Sequence, residues 1–125
     1  MHPFRAAVES GEFDTIDRIF AEDVVLHSPI ARRPYHGRET VAAIIATVAQ
    51  VLTGFRFEKE IGTQDAGDTD RALMFTAMVG DVDIQGCDFL HTGDDGLIDE
   101  ITVMLRPLKA TTLFAERMGE TFERA

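Results

Sequence analysis

The spacing of apolar residues changes character midway along the chain. Phe4, Ala7 and Val8 recur at helical spacing behind Pro3, which suits a first helical turn, and Gly11 can end that helix. Asp14 is placed to cap a second short helix carrying Ile16, Ile19 and Phe20. Val24 to Ser28 reads as a short strand stopped by Pro29, and a loop follows from Pro29 to Gly37. Between Thr40 and Leu52, residues Val41, Ile44, Ile45, Val48 and Leu52 share one face of a longer helix. Beyond it the period falls to two. Phe55, Phe57 and Ile61 alternate in one segment, and Leu73, Phe75, Ala77 and Val79 in the next. Gly80-Asp81 supplies a hairpin turn into a strand from Val82 to His91. Asp94-Asp95-Gly96 turns the chain into a last strand with Ile101, Val103 and Leu105 on one face, and Pro107 closes it. Leu108 to Met118 predicts a terminal helix. The order is helices, a strand, a long helix, then four antiparallel strands. It predicts an α+β fold, with helices on the concave face of a curved antiparallel sheet.

Such a sheet has two faces, and each raises a question. Toward the helices point Phe55, Phe57, Phe75, Ala77, Asp88, Leu90, Ile101 and Val103. Apolar walls with one acidic group are the usual composition of a small-molecule pocket; an ordinary filled core satisfies the same pattern. On the strand from Val82, alternation puts Asp88 in line with Val82, Ile84, Gly86 and Leu90. A carboxyl on that face either finds a buried partner, turns outward at a bulge, or keeps its proton because burial disfavours charge. The opposite face carries Met74, Thr76, Met78, Cys87, Phe89, Thr102 and Met104, too apolar for a solvated surface. It predicts a homodimer joined through the sheets, or else cover by the terminal helix of the same chain.

Composition narrows the field. At 125 residues, 45% hydrophobic and 27% charged, the chain predicts a single soluble domain over 1–125 with a sizeable core. No apolar run approaches the roughly 20 residues of a membrane helix. The N-terminus lacks the layout of a signal peptide. One cysteine, Cys87, excludes an internal disulfide and fits a reducing cytoplasm, the expected compartment. The net charge is −10, and Asp65 to Glu100 holds ten acidic residues against one basic, Arg71. That balance argues against nucleic acid and anionic membranes as partners. His2, His27, His36 and His91 show no zinc-like spacing, so no metal is expected, and no phosphate loop or nucleotide motif implies a cofactor.

The segments 8–41 and 87–105, with the features "GEFD…FAEDVV", "SP…Y.GRE" and "D.L…DDG.I.E", resemble SnoaL-like proteins. These belong to the nuclear transport factor two-like superfamily, which also includes ketosteroid isomerases and polyketide cyclases. The resemblance covers about residues 4–106. It implies a cone-shaped, cystatin-like fold and leaves the reaction open, because this fold hosts enzymes and binding proteins alike. Residue by residue, Asp88 falls where the isomerases hold a protonated aspartic acid as oxyanion donor. Ser28 stands in place of their general-base aspartate, and Phe4 in place of their oxyanion tyrosine.

Two functions follow as expectations. In the first, a cofactor-free isomerase or cyclase acts on a hydrophobic carbonyl compound. Asp88 and His27 are its catalytic candidates, with His27 chosen because imidazole titrates near neutrality. Alternation nevertheless points His27 away from Ser28. Ser28 and Tyr35 would orient the ligand, while Phe4, Phe57, Phe75, Leu90 and Val103 would line its site. In the second, the same cavity holds a small apolar ligand without reacting it.

Overall fold

The structure, a computed structural model, describes residues 2–62 and 69–124. Asp65 and Asp68 of the acidic stretch lie outside the described residues. Helix α1 runs Pro3–Ser10, a 3₁₀ helix Phe13–Ile19, and strand β1 Phe20–His27. A two-residue strand, β2 (Tyr35–His36), leads into helix α2 (Arg38–Val51). Four long strands follow: β3 (Thr53–Gly62), β4 (Thr69–Val79), β5 (Val82–Thr92) and β6 (Ile98–Arg106). Helix α3 (Leu108–Arg124) ends the chain. No helix among the described residues is long and apolar enough to cross a membrane.

The sheet order is β2-β1-β6-β5-β4-β3. The expected antiparallel run β3 to β6 is present, joined by the Gly80-Asp81 hairpin, whose Gly80 has φ of 57°. Local patterning did not reveal that β1 lies parallel to β6, bringing Leu26 beside Ile101 and His27 beside Thr102. Within the expected loop, Tyr35 and His36 pair antiparallel with Leu26 and Val25. The second helix differs from expectation. Asp14 lies inside its first turn instead of capping it, and Phe20 already belongs to β1. Helix α1 is capped by a residue the pattern did not single out. His2 Nδ1 accepts a hydrogen bond from the Phe4 N–H at 3.0 Å, satisfying one of the first-turn donors.

A bulge corrects the reading of β3. Phe57 pairs with Phe75, but the register shifts before Lys59, which pairs with Met74. An extra residue reverses the alternation beyond it. Ile61, expected beside Phe55 and Phe57, is therefore 51% exposed. Glu60 takes the inner place, where its carboxylate meets the Arg71 guanidinium at 3.2 Å in a largely buried ion pair. Burial and the nearby Arg71 charge lower the pKa of neighbouring His2, so its imidazole stays neutral and free to accept at the helix start.

The core lies between the concave sheet face and the helices. Ile16, Phe20, Val24, Leu26, Val41, Leu73, Val79 and Ile101 are among its fully buried members. Gly86 is required by space. It sits opposite Phe75 on β4 and Leu105 on β6. A Cβ there would run into the Phe75 ring and come within 2.7 Å of the Leu105 side chain. Gly86 thus lets the Phe75 ring lie across the strand. Gly86→Ala is expected to lower stability by about 1–3 kcal/mol through overpacking, read as an earlier midpoint in urea unfolding. An unchanged midpoint would mean that Phe75 moves aside freely.

The convex face stays bare. Met78, Phe89 and Met104 are exposed, Met104 by 57%. Helix α3 does not cover them; its Ala110, Phe114 and Met118 are buried, and the latter two reach the concave side.

Candidate functional site

A cavity of about 340 Å³ opens between the concave sheet face and all three helices. Its sheet wall carries Phe75, Asp88, Val103 and Leu105, which follow from the alternation of β4, β5 and β6. Phe4 and Val8 of α1, Ile44 and Val48 of α2, and Phe114 and Met118 of α3 close it from above. Phe55 completes one end, stacked on Phe75 with ring centroids 4.7 Å apart and packed edge-on against Phe57. The volume lies at the lower end of the roughly 300–1,000 Å³ typical of ligand pockets. It suits a compact, largely apolar molecule.

Asp88 is 5% exposed on this wall. Its cross-strand neighbours are Leu73 and Val103, and Gly86 and Leu90 flank it along β5 on the same face. No residue among those described forms a hydrogen bond or ion pair with the carboxyl. Burial alone therefore acts on it, raising its pKa from 3.8 to about 7. Of the three arrangements open to a carboxyl on that face, Asp88 has neither a buried partner among the described residues nor an outward turn, and burial favours the form that keeps its proton. Near neutrality and below, Asp88 presents an O–H donor to whatever occupies the cavity.

The structure brings Phe4, Ser28, Phe75, Val103 and Asp88 around one space. It does not bring His27 there. His27 lies on the opposite face, 42% exposed, with Nε2 3.1 Å from the Glu100 carboxylate. Strand alternation separates it from Ser28, so it cannot act with Asp88 on one small ligand. Tyr35 is tied into β2, is exposed and does not reach the cavity wall. Phe57 and Leu90 are buried one layer back, Phe57 as support for Phe55 and Phe75. The Ser28 hydroxyl accepts from the Ile30 and Ala31 N–H groups at 3.1 and 3.2 Å, so it shapes the turn after β1. Cys87 lies half-buried on the outer face, and burial raises the pKa of its thiol, which disfavours the reactive thiolate.

One polar wall residue escaped the sequence reading. Glu9 lines the cavity from α1, adjacent to Val8, and its Oε1 is held 2.7 Å from Arg5 Nε. The signal was there: Phe4 and Val8 define the inward stripe of α1, and Glu9 sits at its edge with Arg5 four residues earlier.

A family model described as the SnoaL-like domain matches residues 2–101. The chain belongs to this SnoaL-like family. Among solved structures, this SnoaL-like domain is similar to a steroid delta-isomerase from Pseudomonas aeruginosa. The two are 28% identical, with a TM-score of 0.88, over 97% of this chain and 87% of that one. It is also similar to a bacterial protein with a cystatin-like fold from Silicibacter pomeroyi, 33% identical, with a TM-score of 0.86. That match covers 96% of this chain and 85% of the other. A de novo designed protein with a curved β-sheet matches at 14% identity and a TM-score of 0.69, covering 98% and 96%, and so shares the fold alone. A search of the curated proteins found no match.

The buried acid of this SnoaL-like domain has a measurable signature. Its folded pKa of about 7 lies above the unfolded 3.8, so the folded state holds the proton more tightly. The resulting stability is fully present below about pH 3.8 and is lost as pH rises through about 7, by order of 4 kcal/mol at most. Asp88→Asn removes this dependence. The variant is expected to match wild type in Tm near pH 4 and to exceed it at pH 8.5. Parallel Tm–pH curves for the two proteins would contradict the buried, unpaired state.

Proposed function

We propose that this chain binds a compact hydrophobic carbonyl compound with its oxygen against Asp88 and draws it toward the enol, as a cofactor-free isomerase or cyclase. One observation carries this reading: a buried carboxyl without a partner on an apolar cavity wall, where burial raises its pKa to about 7. A donor aimed at an oxygen in a dry site stabilises the charge that grows there when an α-carbon loses its proton. The similarity to a steroid delta-isomerase, at 28% identity, supports the same class of chemistry. The known isomerase route is not transferred, because Phe4 has no hydroxyl and the Ser28 hydroxyl is engaged with backbone.

Those same two residues favour a second reading, in which the cavity only carries its ligand. Titration with the ketone 2-tetralone tests the shared premise. Since only neutral Asp88 can donate, affinity for wild type should weaken about tenfold per pH unit above about 7. Asp88→Asn, whose amide still donates, should bind nearly as well and show no such slope. Affinity independent of pH in wild type would detach the ligand from Asp88. Turnover separates the two readings: Asp88→Asn should lower it sharply in an enzyme.

We also propose that two copies pair through their bare sheet faces. Met78, Phe89 and Met104 form an apolar centre, and charges at its edge, such as Arg106, Glu100 and Arg56, include both signs. A two-fold arrangement sets centre on centre and lets the rims pair. Wild type should sediment as a dimer, and the double variant Phe89→Glu, Met104→Glu as a folded monomer. A wild-type monomer at micromolar concentration would overturn this assembly.

A further inference from the structure

We infer that Glu9 is the proton acceptor of this cavity, facing the carbonyl compound from α1 while Asp88 holds its oxygen from β5. This rests on the carbonyl reading above and adds the base that reading lacks. Among the described residues, Glu9 and Asp88 are the titratable side chains on the cavity wall. Their surroundings differ in kind. Asp88 is enclosed by apolar groups with no partner, whereas Glu9 is 41% exposed at the side chain and ion-paired with Arg5. One carboxyl without a partner and one held against a guanidinium, on the walls of one cavity, can act as donor and acceptor.

Glu9 is also held in place. The Arg5 guanidinium that binds it lies 5.7 Å from the centroid of the Phe57 ring. Phe57 in turn packs edge-on against Phe55, with centroids 4.9 Å apart, and Phe55 lines the cavity. The carboxylate is thus fixed to the aromatic end of the wall through Arg5 and Phe57. A carboxylate can serve as the base where the developing oxyanion meets a hydrogen-bond donor.

The step balances without a co-reactant. A Glu9 oxygen takes the proton from the carbon α to the carbonyl, and the C–H electron pair becomes the C=C bond of the enolate. The carbonyl π pair moves to oxygen, where the Asp88 O–H donates a hydrogen bond. Return of the proton from Glu9 to the same carbon restores the ketone; where the substrate is a β,γ-unsaturated ketone, return to the γ carbon of its dienolate shifts the double bond and gives the conjugated enone. Because Glu9 reaches solvent, the held proton exchanges with water before it returns.

That last property gives the test. In D₂O, wild type should accelerate exchange of the α-hydrogens of 2-tetralone, followed by proton NMR, with binding measured in parallel by shift perturbation. Glu9→Gln should lower the exchange rate about 100-fold or more while affinity stays within about twofold. Glu9→Asp should recover part of the rate. Wild-type exchange in Glu9→Gln, together with loss in Asp88→Asn, would place the base elsewhere and leave the carbonyl reading standing. Binding without any exchange by wild type would also overturn the role of Glu9, leaving a carrier. Absence of binding would remove the carbonyl reading itself.

Discussion

A carboxyl group enclosed by hydrocarbon is the constraint from which the site's chemistry follows. Leu73, Val103, Gly86 and Leu90 surround Asp88 and offer it no hydrogen bond, so folding favours its neutral form below about pH 7. The proton that relieves this burial is the same proton that can meet a ligand's oxygen. Stability and chemistry therefore draw on one atom. Few sites keep such a group unless something else requires it, since an apolar residue in the same place would be better tolerated.

The neighbouring polar groups show how differently the fold treats charge elsewhere. Glu60 also points inward, yet it is paired with Arg71, and His2 beside them caps a helix as a neutral acceptor. That end of the fold is polar, with its inward acid paired to a guanidinium. At the cavity end the helices contribute hydrocarbon apart from Glu9 of α1, and the single inward acid of β5 has no partner. The bulge in β3 keeps the two regions distinct. It directs Glu60 inward only beyond Phe57, so the aromatic wall of Phe55, Phe57 and Phe75 stays unbroken.

Much of this could be read from residue spacing, because alternation and helical period depend on local geometry. The long helix, the four-strand run, the inward placement of Asp88 and the apolar convex face all follow from those periods. The parts that could not be read are those where a single extra residue or a distant partner decides. The bulge before Lys59 exchanged Ile61 for Glu60, and no local pattern marks it. The parallel pairing of β1 with β6 joins segments far apart in the chain. His27 has chemistry suited to proton transfer, but alternation along β1 sets it on the outer face beside Glu100. Glu9 has the pattern of an exposed helix ion pair with Arg5, and only its place beside Val8 sets it at the edge of the inward stripe.

The parallel contact between β1 and β6 bears on how the molecule is made. On a ribosome the first strand emerges long before its sheet partner, and α3, which supplies Phe114 and Met118, comes later still. Until then the greasy inner surfaces of β1 and α2 have no lid, and non-local pairing of this kind is slow to form. The newborn chain must pass through an interval in which its binding chamber is half built and open to unwanted association.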